Sequence, residues 1–232
     1  VGDYIQRLRL EYIAFKLIST NTRVSELLEQ INFQNKHTLS RAFKKHFQMS
    51  IPAFRKVYSN VAYENKIIKQ LEYSIKRIKE IKVAYLKFER THRNKQAYST
   101  LWKQIMEFAK KYNLTDKGFK YVSISLDNLD ITEIDKCRFL IGITVPYSME
   151  IPKGFSVLNI QTGLYSVFNI KGRYHELNRI YRDIYLEWLP NSKYSLREQM
   201  TFEIYTNTPD KASMEELVTE IYLPIEVKQK IK

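Results

Sequence analysis

The amino-acid sequence predicts an α+β protein: an N-terminal all-α segment containing a helix-turn-helix, followed by a duplicated βαββ domain with a cleft between its two repeats. Three observations lead there. Up to about residue 72 apolar residues recur at helical spacing, whereas from Ile75 onward they alternate as in strands. The order strand, helix, strand, strand then occurs twice, across 77–145 and again across 162–224, which marks an internal duplication.

The elements follow in chain order. Residues 3–19 are apolar nearly all round, with Ile5, Leu8, Tyr12 and Phe15 on one stripe and Leu10, Ile13 and Leu17 on another, so this helix is expected to be wedged between neighbours. Thr20 to Arg23 is a polar break, and Val24 to Gln30 forms a short helix. Phe33, Leu39, Phe43 and Phe47 space the next helix, and Pro52 opens a further one that runs to about Glu72. Alternation of Val83 and Tyr85 with Ala84 and Leu86 then marks a strand over 77–90. A helix at 96–113 and strands at 119–126 and 137–145 complete the first repeat. The second has a strand at 162–170, a helix at 174–188, and strands at 200–206 and 218–224. The expected domains are therefore 1–57 for the helix-turn-helix part, 58–75 for a helical connector, 76–226 for the duplicated domain and 227–232 for a tail.

Composition narrows the classes. With 232 residues, 44% of them hydrophobic, the chain can fill one large core or two modest ones. No apolar run reaches the length of a membrane span and the start of the chain lacks a secretory pattern, so a cytoplasmic protein without membrane contact is expected. The single cysteine, Cys137, excludes an intrachain disulfide and makes a thiolate zinc site unfavourable; it reads as a small buried strand residue. No metal, cofactor or catalytic residue is assigned. The net charge of +13 is one-sided: residues 1–95 hold 20 Lys+Arg against 8 Asp+Glu, and residues 96–232 hold 18 against 17. A positive field concentrated in the first 95 residues is the footprint of a polyanion partner.

Lys36, His37, Ser40, Arg41, Lys44 and Lys45 give the third helix a polar, basic outer face, and the short helix before it completes a helix-turn-helix. At these positions the chain resembles the AraC/XylS family of bacterial transcription regulators. Ile13-Ala14-Phe15-Lys16-Leu17, Asn21, Val24, Leu27 and Leu28 match the connecting and first helices of that family's second helix-turn-helix; Phe33, Leu39, Arg41, Phe43, Lys44, Pro52 and Arg55 match its signature. The resemblance implies that double-stranded operator DNA is a partner. Lys36, His37 and Arg41 would face base edges, and Thr38, Ser40, Lys44 and Lys45 would meet the backbone. Asn32 and Gln48 stand where the family usually has glycine. Asn is the non-glycine residue that best tolerates a positive φ, and the backbone is expected to survive both changes. Only the second of the family's two helix-turn-helix elements is represented, Val1 to Ile5 reading as the tail of the first. That implies a piece of a longer regulator, with weak DNA binding by these residues alone.

The remainder resembles the GyrI-like effector-binding family. Asp127, Thr132, Lys136-Cys137-Arg138-Phe139 and Val145-Pro146 match the middle of its pattern. Lys171-Gly172-Arg173-Tyr174, Leu177, Glu187-Trp188-Leu189-Pro190, Phe202-Glu203-Ile204-Tyr205 and Pro209 match its second half. Glu203 is a carboxylate on an apolar strand, costly to desolvate unless compensated, and strand alternation puts Tyr205 on its face. The resemblance implies that Glu203 lies at the floor of a hydrophobic pocket, with Trp188, Tyr205, Tyr147, Tyr121 and Phe139 as walls for an aromatic or cationic small-molecule effector. The competing structural account pairs Glu203 with Arg138 or Arg197.

Two functions from different classes follow. One is a ligand-responsive regulator in which effector binding alters engagement of DNA or RNA polymerase, which requires that the effector bind two states unequally. The other is a hydrolase, as some GyrI-like domains resemble, using Glu203 with Tyr205 or Tyr147 to activate water. Fusion to a DNA-binding segment favours sensing. A pocket used only as a protein-interaction surface is the third reading.

Overall fold

The computed structural model describes residues 2–19, 22–30, 35–64, 71–89, 97–127 and 137–228. They form two compact units: Val1–Lys69 with Asn178–Lys193, and Gln70–Leu177 with Tyr194–Lys232.

The first unit is helical. It begins with α1 (Gly2–Ser19), α2 (Val24–Gln30), α3 (Lys36–Phe47) and α4 (Ile51–Glu64). In α1 the stripe Leu10, Ile13, Ala14 and Leu17 is buried, whereas Tyr12 is 39% exposed, with the Lys16 ammonium 5.4 Å from its ring centre. The expectation of a helix buried all round is corrected there. Tyrosine has a polar tip and a face that accepts a cation, so it tolerates the wet side. Asn35 caps α3: its side-chain oxygen accepts from the Thr38 N–H at 2.9 Å and the Thr38 hydroxyl at 3.1 Å. At the other end Gln48 has φ 56° and ψ 18°, a left-handed C-cap, with its amide donating to the Lys45 carbonyl at 2.7 Å. Gln48 therefore takes up the conformation that favours glycine, at a cost of roughly 1–2 kcal/mol; Asn32 lies outside the described residues. Phe43, Phe47 and Phe54 lock α3 to α4 with centroids 4.5 to 5.2 Å apart, and Arg55 donates to the Thr22 carbonyl at 2.7 Å.

The same unit takes in part of the second repeat. Where a single helix over 174–188 was expected, a 3-10 turn (Tyr174–Glu176) leads into α6 (Leu177–Asp183), a π-helical turn (Ile184–Trp188) and α7 (Leu189–Asn191). Ile184 and Leu189 are buried, and the π turn packs against α1 and α4.

The second unit is a curled antiparallel sheet with one long helix. Its strands are β1 (Tyr73–Ile78), β2 (Ile81–Glu89), β3 (Tyr121–Ser125), β4 (Arg138–Thr144), β5 (Ser156–Ile160), β6 (Gly163–Lys171), β7 (Tyr194–Leu196), β8 (Phe202–Tyr205) and β9 (Val218–Val227). Their order is β1-β6-β9-β8-β3-β4-β2-β5, with β7 pairing on β9. Three differences from the sequence reading stand out. The strand expected at 77–90 is two strands, parted at Lys79 and Glu80, and the first starts at Tyr73, where the helical connector was expected to continue to residue 75. Two short strands, β5 and β7, carry too little alternation to be seen. Cys137 is fully buried immediately before β4, close to its expected place.

One face of the sheet is covered by α5 (Ala97–Lys111), whose Ile105, Phe108 and Ala109 pack on Ala84, Phe88, Ile141 and Ile143. The other face curls on itself around Val122, Ile124, Val167, Phe202 and Tyr222. Strand alternation assigns each side chain to one face or the other, and that sorting positions the candidate site.

Candidate functional site at Glu203

The helix-covered face carries the cluster. Across the ladders Glu203 stands opposite Ser123 on β3 and Ile221 on β9, and Tyr205 stands opposite Tyr121 and Thr219. Glu203 and Tyr205 point the same way, and the Tyr205 hydroxyl donates to a Glu203 carboxylate oxygen at 2.6 Å. Around this pair the rings meet edge to face: Trp102 lies 5.4 Å from Tyr205 and 6.2 Å from Tyr121, and Tyr174 lies 5.1 Å from Tyr205. Tyr98, one helical turn before Trp102 on α5, touches Trp102 at 6.4 Å and Phe139 at 6.2 Å.

Local chemistry explains how Tyr174 arrives there. Gly172 sits at φ +135°, a conformation closed to other residues, and its N–H donates to the Leu217 carbonyl at 2.9 Å. Arg173 then clamps Glu215 with its guanidinium, Nε at 3.0 Å. The turn is pinned to the segment entering β9 on both counts, so the following ring is delivered onto Tyr205.

Burial pushes the Tyr205 phenol well up from its ordinary value, with the Glu203 charge, Tyr98 and the hydrogen bond to Glu203 adding to the rise against an opposing Ser123 bond. Tyr174 is pushed up to about 12, chiefly by burial and then by nearby negative charge. Tyr98 and Tyr121 rise as well, burial being the main cause in each. These phenols stay protonated at neutral pH, and that of Tyr205 donates to Glu203.

Of the residues singled out from sequence, Glu203, Tyr205 and Tyr121 come together directly, and Phe139 joins through Tyr98. Tyr147 does not join them: it is 55% exposed beyond β4, and its hydroxyl donates to Glu80 at 3.2 Å. The turn after β4 holds it there, because the Lys82 ammonium donates to the carbonyls of Tyr147 and Met149 at 3.0 and 2.7 Å. Trp188 belongs to the helical unit, on the π turn. Sequence reasoning missed Tyr98, Trp102 and Tyr174. The i, i+4 spacing of Tyr98 and Trp102 was a usable signal, since it sets both on one side of α5. The proposed arginine partners are engaged elsewhere. Arg138 donates to Asp127 through its backbone N–H at 2.7 Å and its guanidinium at 2.5 and 2.9 Å, while the Arg197 guanidinium lies 5.0 Å from the Tyr165 ring centre.

In the helical unit Lys36, His37, Arg41, Lys44 and Lys45 of α3 are exposed, and Thr38 and Ser40 are half-buried. Thr38 is already committed to the Asn35 cap. Among the described residues no group of His, Cys, Asp and Glu is arranged to hold a metal ion, and no helix is long and apolar enough to cross a membrane.

No curated protein matches the chain. Among solved structures, the EcmrR C-terminal domain matches 68% of this chain over 99% of its own length, with a TM-score of 0.56 and 18% identity. EcmrR in its DNA complex, within EcmrR-RPo, matches 98% of this chain over 85% of its own, with a TM-score of 0.56 and 15% identity. A hydrolase from Listeria innocua matches 72% of this chain over 98% of its own, with a TM-score of 0.50 and 8% identity. At such identities the likeness is one of fold. Residues 71–226, well over half of the chain, match the GyrI-like small molecule binding domain, and the protein belongs to that family.

Proposed function

We propose that the protein is a ligand-responsive transcription regulator: the GyrI-like domain receives an aromatic cation at Glu203, and α3 engages double-stranded DNA. The observation that carries the first half is the Glu203 carboxylate, held by a buried tyrosine donor among edge-to-face rings. A carboxylate gives the attraction, and ring faces add cation–π contact worth about 0.5–2 kcal/mol each. The second half is supported by the exposed basic face of α3, its Asn35 cap and the excess of positive charge in residues 1–95. EcmrR, whose DNA complex aligns with 98% of this chain at 15% identity, has been seen on DNA, and RNA polymerase is the further partner this reading allows. On this reading Lys36, His37 and Arg41 meet base edges, Ser40, Lys44 and Lys45 meet phosphates, and Thr38 contributes through the helix cap.

Hydrolysis has less support. In that reading Glu203 activates the water with a tyrosine beside it, whereas one Glu203 oxygen is already taken by the Tyr205 hydroxyl at 2.6 Å.

Titration calorimetry with (2-naphthylmethyl)trimethylammonium tests the sensor. Saturable binding weakened at least tenfold by Glu203→Gln, about 1.4 kcal/mol, is the expected result. Equal affinity in both proteins overturns it. For the output, Arg41→Ala is expected to lower DNA affinity in fluorescence anisotropy at low salt; an unchanged isotherm removes α3 from the interface.

A further inference from the structure

The two flanks of α5 differ in chemistry. Trp102 and Tyr98 lie on the flank that reaches Tyr205, while Phe108 and Lys111 lie roughly 120–180° round the helix from Trp102, given about 100° per residue. On that second flank a cleft of about 420 Å³ opens between α5 and the loop Pro152–Phe155, above Leu86 of β2. Its size falls within the range of small-molecule sites, roughly 300–1,000 Å³.

Three rings and two cations line it. Phe108, 5% exposed, forms the base, with the Phe155 ring 4.6 Å away at 33° and the Tyr112 ring 5.1 Å away at 55°. Lys111 reaches back over Tyr112, its ammonium 5.5 Å from the ring centre, and Lys153 projects from the facing loop. Glu107 is the one acidic lining residue, so the cleft carries a net charge of +1. Among the described residues neither lysine forms an ion pair. Gly154 leaves the mouth open: it sits at φ +100°, and a Cβ built on it would meet nothing within 4 Å.

We propose that this cleft is a second ligand site, for a small aromatic anion such as an aryl carboxylate. The flat ring lies against Phe108, Phe155 and Tyr112, and the carboxylate meets Lys111 and Lys153 at the rim. Its preference is opposite in sign to that of Glu203, so one domain takes two ligand classes on the two flanks of a single helix. The proposal is independent of what Glu203 binds, because it uses none of that site's residues.

The test is calorimetric titration of the whole chain with 2-naphthoate, with neutral 2-naphthamide as the uncharged comparison. Saturable one-to-one binding of naphthoate is expected, at least tenfold tighter than naphthamide. The Lys111→Glu/Lys153→Glu double variant, both positions being exposed, is expected to lose at least tenfold in naphthoate affinity while keeping its melting temperature. Gln104→Trp, which fills the cleft from the exposed side of α5, is expected to reduce binding to a similar degree, and Glu203→Gln to leave it within twofold. Four results overturn the proposal: no saturable binding below about 1 mM; equal affinity for naphthoate and naphthamide; full affinity in both cleft variants; or loss of naphthoate binding in Glu203→Gln.

Discussion

The tripeptide Glu-Ile-Tyr occurs twice, at 203–205 in β8 and at 220–222 in β9, and the two copies are neighbours in the sheet. In both, the tyrosine hydroxyl donates to the glutamate two residues before it, at 2.6 and 2.8 Å. Their surroundings differ because their register is offset by one residue. Ile204 faces Glu220 and Glu203 faces Ile221, so the two pairs stand on opposite faces. On the curled face Tyr222 stacks flat on Phe202, at 4.6 Å and 11°, and Glu220 meets the Lys76 ammonium at 3.6 Å. That charge is matched from within the protein and its ring is sealed by packing. On the helix-covered face Tyr205 is ringed by edges of Trp102 and Tyr174. Identical local sequence thus yields a packing element in one strand and a candidate binding element in the next.

Four experiments sharpen this contrast, from the largest effect to the smallest. Phe202→Ala removes the fully buried ring under Tyr222 and is expected to cost about 3–5 kcal/mol in urea unfolding; a loss below about 1 kcal/mol refutes a packing role for the curled face. Glu220→Gln is expected to leave affinity for the naphthyl cation within twofold, against the tenfold or greater loss for Glu203→Gln. Comparable losses in both variants erase the functional distinction.

Alkaline pH gives the third. The folded phenols of Tyr205 and Tyr174 are raised above their unfolded value of 10.0, so the unfolded chain ionises first. Their stabilisation is complete below pH 10 and is lost as pH climbs towards the folded value, about 12 for Tyr174. Tyr205→Phe is therefore expected to show a smaller fall in unfolding free energy, measured with urea, between pH 9.5 and 11 than the parent, roughly 1 kcal/mol less. An identical fall argues that Tyr205 titrates alike in the folded and unfolded states. Last, Lys76→Ala is expected to cost only about 0–1 kcal/mol, since the Lys76 side chain is 46% exposed and water screens the pair. A larger loss by chemical denaturation assigns the Glu220 pair a weight that exposure denies it.

Much of the layout was readable because it depends on near neighbours in sequence. Helices α1 to α3 follow from 3.6-residue periodicity and the polar break at Thr20 to Arg23. The main strands follow from alternation, and the common face of Glu203 and Tyr205 follows from their spacing. The strands β5 and β7 were not readable, because they are short and take their order from pairing with β2 and β9. Tyr147 was misplaced as a pocket wall for a related reason: the hydrogen bonds that fix it come from Glu80 and Lys82, more than sixty residues away.

By itself, then, the sequence determined the α+β class, the excess of positive charge in the first 95 residues and the common face of Glu203 and Tyr205, since each rests on local periodicity, charge or spacing. Tertiary structure alone separated one Glu-Ile-Tyr from the other, brought Trp102 and Tyr174 onto Tyr205, engaged Arg138 with Asp127 and placed residues 178–193 with the helices. Those outcomes are set by strand register and by contacts between residues distant along the chain, and a one-residue shift in register reverses which face each side chain serves.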